Sequence, residues 1–128
     1  MDPEFLRVDD VLQIHQDQIE RYGGSPHLRD PGLLTSAVDA PRAMFDGKYL
    51  HGDLFEMAAA YLFHIVQNHP FVDGNKRTGT AAALVFLDLN GIDMAIDNDT
   101  LADHVLAVAQ GRDDKKAVAA FLRLHVTG

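Results

Sequence analysis

The sequence predicts an all-α fold. Apolar residues recur three and four apart along most of the chain, and capping residues, glycines or prolines bracket the runs. There is no βαβ alternation, internal repeat or low-complexity tract. With 128 residues, 47% of them hydrophobic and 23% charged, the chain suits one domain with a core of its own. The expected architecture is a single-domain bundle of about six helices around two buried central ones.

Residues 1–5, Met1-Asp2-Pro3-Glu4-Phe5, show no periodicity. They are read as an expression remnant or a disordered lead, set aside from the fold, with the domain over 6–128. Val8, Val11, Leu12, His15, Ile19 and Tyr22 form one face of a first helix, ended by Gly23-Gly24. Asp30 is placed to cap a short second helix with Pro31 at its first position, which stops before Pro41. Residues 45–52 read as an extended or turn-like exposed segment.

Asp53 caps a helix over 54–68 that is apolar nearly all round, as a central helix must be. A second buried helix over 81–89 is closed by Asn90-Gly91, and two further helices fit 99–110 and 113–126.

Composition excludes several functions. With no cysteine there is no disulfide framework, thiolate zinc site or cysteine nucleophile. Nothing reads as a secretory signal, and the most apolar run, 54–66, is too short to span a membrane and contains Glu56. A cytoplasmic protein is expected, with no membrane partner. The net charge of −8 gives no basic face for phosphate neutralisation, so direct nucleic-acid binding is not expected. A local basic spot still suits a small phosphorylated ligand.

Such a spot lies between the two central helices. His69 to Gly79 places an imidazole, a carboxylate, two glycines, an amide, a lysine and an arginine in eleven residues. Gly74 and Gly79 allow close backbone approach to a ligand. The amides of residues 74–77 lie at the start of the following helix, where unpaired N–H groups and the dipole favour an anion. Lys76 and Arg77 add charge there, and an arginine grips phosphate oxygens bidentately. Two cations at a positive helix end are unfavourable unless an anion compensates them. Asp73 suits magnesium, which takes one carboxylate together with phosphates and water. His69 can accept a proton from a hydroxyl at neutral pH. Together the parts suit phosphoryl or nucleotidyl transfer onto a hydroxyl.

Singly, each part has an ordinary explanation. Asp73-Gly74 makes a turn, Lys76 and Arg77 make solvated surface, and His15, His64 and His125 read as structural. A P-loop fails because Thr80 stands where lysine is required and a helix precedes. A zinc hydrolase built on His64, His69 and Asp73 lacks the His-Glu-x-x-His pattern.

The run His69-Pro70-Phe71-Val72-Asp73-Gly74-Asn75-Lys76-Arg77 resembles the signature of the Fic/Doc superfamily, His-Pro-Phe-x-Asp/Glu-Gly-Asn-Gly-Arg-x-x-Arg. Tyr22-Gly23-Gly24 and Asp53-Leu54-Phe55-Glu56 are similar to the Doc members. The resemblance implies the small Doc-like fold, His69 as base and Asp73 as magnesium ligand. It implies nucleotide contacts around Phe71, Gly74, Asn75, Lys76, Arg77 and Gly79.

Two departures from the Fic pattern carry information. Lys76 replaces the second motif glycine, and Thr80 replaces the final arginine that clamps the outer phosphates during AMP transfer. Both are similar to Doc toxins, which act as protein kinases with the nucleotide reversed. The resemblance thus implies a toxin that phosphorylates a threonine of elongation factor Tu with Mg-ATP and stops translation. AMP transfer is the alternative within enzymes, and a non-catalytic nucleotide- or partner-binding module the alternative outside them.

No Ser/Thr-x-x-x-Glu inhibitory pattern precedes Glu4, Glu20 or Glu56. Restraint is therefore expected from a Phd-like antitoxin helix in an apolar surface groove. By the same resemblance the segment before the central helix is a flap that docks the target, with Lys48, Tyr49 and His51 as contacts.

Overall fold

Two 15-residue helices with buried seams form the centre of the molecule, and the other elements are layered on them. The computed structural model describes residues 2–111 and 114–127. In chain order these are α1 (Val8–Tyr22), α2 (Pro31–Asp39), a 3-10 turn (Ala40–Arg42), β1 (Met44–Phe45), β2 (Lys48–Tyr49), α3 (Leu54–Asn68), α4 (Asn75–Leu89), α5 (Asn98–Ala109) and α6 (Lys115–Leu124). Helices α3 and α4 pack most extensively on each other. Helices α2 and α6 lie against α3, while α1 and α5 lie against α4. The all-α expectation therefore holds, with six helices and a two-stranded hairpin among the described residues.

Local chemistry explains the boundaries. Asp30, Asp53, Asp97 and Asp114 each cap a helix, their carboxylates accepting from Leu33 N, Glu56 N, Thr100 N and Ala117 N. Helix α5 starts at Asn98 and ends at Ala109, close to the predicted 99–110. Helix α6 is shorter than the predicted 113–126, and Asp113 lies outside the described residues.

Helix α4 begins at Asn75, six residues before the predicted 81–89 helix. Polar residues 75–80 read as loop, yet Asn75, Thr78, Gly79 and Thr80 are buried in α4. Gly79 lies on the face toward α3, where an added Cβ would sit 3.2 Å from Leu62 O and 3.1 Å from Val66 Cγ2. Its glycine serves helix–helix approach, so its expected role in ligand contact is corrected.

Setting residues 1–5 aside from the fold is also corrected for Glu4 and Phe5. Glu4 N donates to Asn90 Oδ1 at 2.8 Å, and Asn90 Nδ2 donates to Glu4 O at 2.9 Å. The Phe5 ring stacks on Phe86, with centroids 5.9 Å apart. A two-residue apolar contact is too short to show periodicity.

The expected extended segment is the β1–β2 hairpin, turned by Asp46-Gly47 with φ of 55° and 76°. Met44, Phe45 and Leu50 expose their side chains there, Phe45 by 79%.

Candidate functional site

The segment linking α3 to α4 is built by its neighbours as much as by its own residues. Helix α3 ends in His69, whose backbone is left-handed (φ 52°). Gly74, also left-handed (φ 81°), opens α4 without a side-chain cap. A Cβ at Gly74 would meet Ile19 Cδ1 at 3.3 Å and the His15 ring at 3.6 Å. The first amides of α4 therefore stand uncapped at a positive helix end.

Residues 25–30 run alongside and stitch the segment in place. Arg29 N and Asp30 N both donate to Pro70 O, at 2.7 and 2.9 Å, and Val72 N donates to His27 O at 3.0 Å. Ser25 N donates to Asp73 Oδ2 at 2.8 Å. The Arg29 side chain donates from Nε to His69 O at 2.7 Å and from Nη2 to Asn68 O at 3.0 Å. From α1, His15 Nε2 donates to Asp73 O at 2.8 Å, and its ring stacks on Phe71 with centroids 3.7 Å apart.

Asn75 organises the interior of the segment. Phe71 N donates to Asn75 Oδ1 at 2.9 Å, which fixes the amide orientation. Asn75 Nδ2 then donates to Phe71 O at 2.9 Å and to His69 Nδ1 at 3.0 Å. In this arrangement Nδ1 is the accepting nitrogen, so a neutral His69 ring carries its proton on Nε2. The ring is exposed at the cleft. The tautomer with Nε2 free to accept is reached by giving up one neutral hydrogen bond, about 1 kcal/mol.

An open cleft of about 540 Å³ is lined by Val66, His69, Val72, Asp73, Gly74, Asn75, Lys76, Arg77, Leu106 and Gln110. It gathers most of the residues that the sequence singled out. Lys76 and Arg77 are exposed at its edge, and the Arg77 guanidinium lies over the Tyr22 ring, 3.8 Å from the centroid. Asp73 Oδ1 has no partner among the described residues, where no group of three or more His, Asp or Glu could hold a metal ion. A cation here would rely on one carboxylate plus ligand oxygens and water, which is how Mg²⁺ is commonly held beside phosphates. The donor set fits that ion.

Some expected residues do other work. Phe71 is fully buried against His15, so it shapes the segment rather than touching a ligand. Asn75 is buried at the floor of the cleft, and its amide bonds Phe71 and His69. The Thr80 hydroxyl donates to Lys76 O at 2.8 Å and is turned into its own helix.

At the hairpin, Lys48 is exposed and Tyr49 is half-buried, its ring 5.6 Å from Phe5. His51 is 8% exposed and turns inward to Lys115 Nζ, 3.5 Å from its Nε2. Its expected docking role is corrected, because a buried ring offers no surface to a partner. The side chains that the hairpin does expose are Met44, Phe45 and Leu50, and the Asp-Gly turn between apolar flanks was the available signal for the hairpin. Ser25 and Arg29 gave no such signal, since their partners lie about 40 residues away.

Comparison with known proteins agrees with this geometry. A match to the Fic/DOC family covers residues 5–87. The chain is 36% identical over 115 residues to Protein kinase doc of Escherichia phage P1, covering 90% of each chain. It is 40% identical over 121 residues to Toxin Doc of Mycolicibacterium smegmatis, covering 93% of this chain and 91% of that one. The helical fold, the matched segment and these relatives together place the chain in the Fic/Doc family.

Proposed function

We propose that this chain is a Doc-like toxin: a cytoplasmic protein kinase that uses Mg-ATP to phosphorylate a threonine of elongation factor Tu and so blocks translation. The carrying observation is the single cleft that brings His69, Asp73, the uncapped start of α4, Lys76 and Arg77 together. The name of the phage relative, a protein kinase, supports phosphoryl transfer over AMP transfer. So does Thr80, whose short hydroxyl is tied to Lys76 O where AMP transfer calls for an arginine clamp.

In this reading His69 takes the proton of the acceptor hydroxyl. The acceptor oxygen then bonds the γ-phosphorus as the bond to the β–γ bridging oxygen breaks and ADP departs with that electron pair. Bound Mg-ATP supplies the phosphoryl group, and its metal spreads the phosphate charge. The α4 amides with Lys76 and Arg77 would steady the phosphates, and Asp73 would hold the metal, its own orientation set by Ser25 N. Restraint comes from a Phd-like antitoxin, in keeping with the relative named Toxin Doc.

The test is the intact mass of purified elongation factor Tu after incubation with this protein and Mg-ATP. A gain of one phosphate is expected. A gain of one AMP would replace the kinase reading with adenylyl transfer, and no gain would overturn the assigned target.

A further inference from the structure

The side chain that holds the His69 backbone lies forty positions away in the chain, outside the motif segment. We infer that Arg29 is a positioning residue for His69, holding the imidazole at the cleft by bonding the last two carbonyls of α3. The inference rests on the reading of His69 as the proton acceptor.

Helix C-termini leave carbonyls without intrahelical partners. Here Arg29 Nη2 reaches Asn68 O at 3.0 Å and Arg29 Nε reaches His69 O at 2.7 Å. Both are charge-assisted bonds placed at the negative end of the helix dipole. They also act at the one point where α3 leaves regular geometry. His69 has φ 52°, a left-handed conformation that L side chains adopt at a cost and that glycine most often supplies at a helix end. A glycine cannot serve here because the imidazole is required, so the surroundings must hold the conformation.

Arg29 is itself anchored, since its own N–H donates to Pro70 O at 2.7 Å, one residue beyond His69. The guanidinium and the amide of one residue thus grip carbonyls 68, 69 and 70 in succession. Asn75 fixes the ring from the other side through Nδ1. With its backbone held by Arg29, the imidazole has little freedom to leave the cleft, and transfer to a hydroxyl depends steeply on such placement. A lysine cannot reproduce the grip, because its single ammonium lacks the planar fork that spans two carbonyls.

The experiment compares the full chain with Arg29→Ala, Arg29→Lys and Arg29→Gln, using two independent readouts. The first is NMR of the free protein: the three-bond amide–α-proton coupling of His69, which reports φ, and its ring resonances. The Ala variant is expected to average the coupling and broaden or shift the ring signals, with Lys and Gln intermediate. The second is phosphate transfer, where kcat is expected to fall about tenfold in Arg29→Ala with the KM for ATP within twofold, and Lys is expected to recover part of the loss.

The inference is overturned if His69 keeps its coupling and ring signals in Arg29→Ala, or if turnover falls only in proportion to the fraction folded. Should Arg29→Ala fail to fold, Arg29→Gln carries the same two readouts. Should the wild type transfer no phosphate, the NMR arm alone decides the positioning claim, and the kinase reading fails separately.

Discussion

Two groups of histidines around α3 are held in contrasting ways. His69 is exposed at the helix C-terminus, its ring bonded by Asn75 and its carbonyl by Arg29. His51 and His64 face Lys115 instead, whose Nζ donates to His64 Nε2 at 3.2 Å and to His51 Nε2 at 3.5 Å. Burial lowers the pKa of both rings, with Lys115 adding to the effect, and His64 is brought down to about 4. The contrast separates two uses of imidazole. A ring desolvated beside a cation is held neutral and helps seat α6 on α3, whereas the ring at the rim of the cleft stands open to solvent.

The most severe way to break the contrast is His69→Ala. Transfer should fall about 1000-fold, while thermal stability changes little because the ring is exposed. Assaying transfer and melting on the same preparation checks both halves, and a large loss of stability would mean His69 belongs with the structural histidines.

Gly79→Leu should act in the opposite sense. Its side chain would press on Leu62 O and Val66, so stability should drop by about 3 kcal/mol in a denaturant titration. Transfer per folded molecule should fall far less than in His69→Ala.

Asn75→Ala lies between the two. It leaves the buried Phe71 amide without its acceptor, so about 2 kcal/mol of stability should be lost, and transfer should fall with the order of the segment that carries His69.

The smallest expected effect concerns pH. His64 is neutral in the fold down to about pH 4, whereas an unfolded histidine gains its proton near 6.5. The unfolded chain binds more protons between those values, so this contribution is present above 6.5 and is lost as pH falls toward 4. Melting temperature should fall across that window. Lys115→Met should flatten the fall, because the cation that disfavours both imidazolium forms is gone.

Much of this was legible in the sequence, and the reasons are local. Asp53 followed by an apolar run gave α3 its bounds, and Asp30-Pro31 gave the start of α2. The gathering of His69, Asp73, Lys76 and Arg77 at one cleft was visible because those residues sit in one short polar segment between apolar helices. The packing role of Gly79 was hidden for the same reason. A polar residue inside a helix looks like a ligand contact until the facing helix is known, and α3 is what Gly79 faces. Arg29 and Ser25 escaped notice because their partners are set by tertiary packing, which no spacing encodes. The inward turn of His51 depends likewise on Lys115, 64 positions further along.

The clasp between Glu4 and Asn90 has a practical consequence for handling this protein. It fastens the start of the chain to the C-terminal end of α4, whereas the cleft opens at that helix's N-terminal end. Fifteen helical residues separate the two by roughly 22 Å. A fluorophore, affinity tag or carrier domain joined ahead of Glu4 would therefore leave from the far end of that rod, with the mouth of the cleft unobstructed.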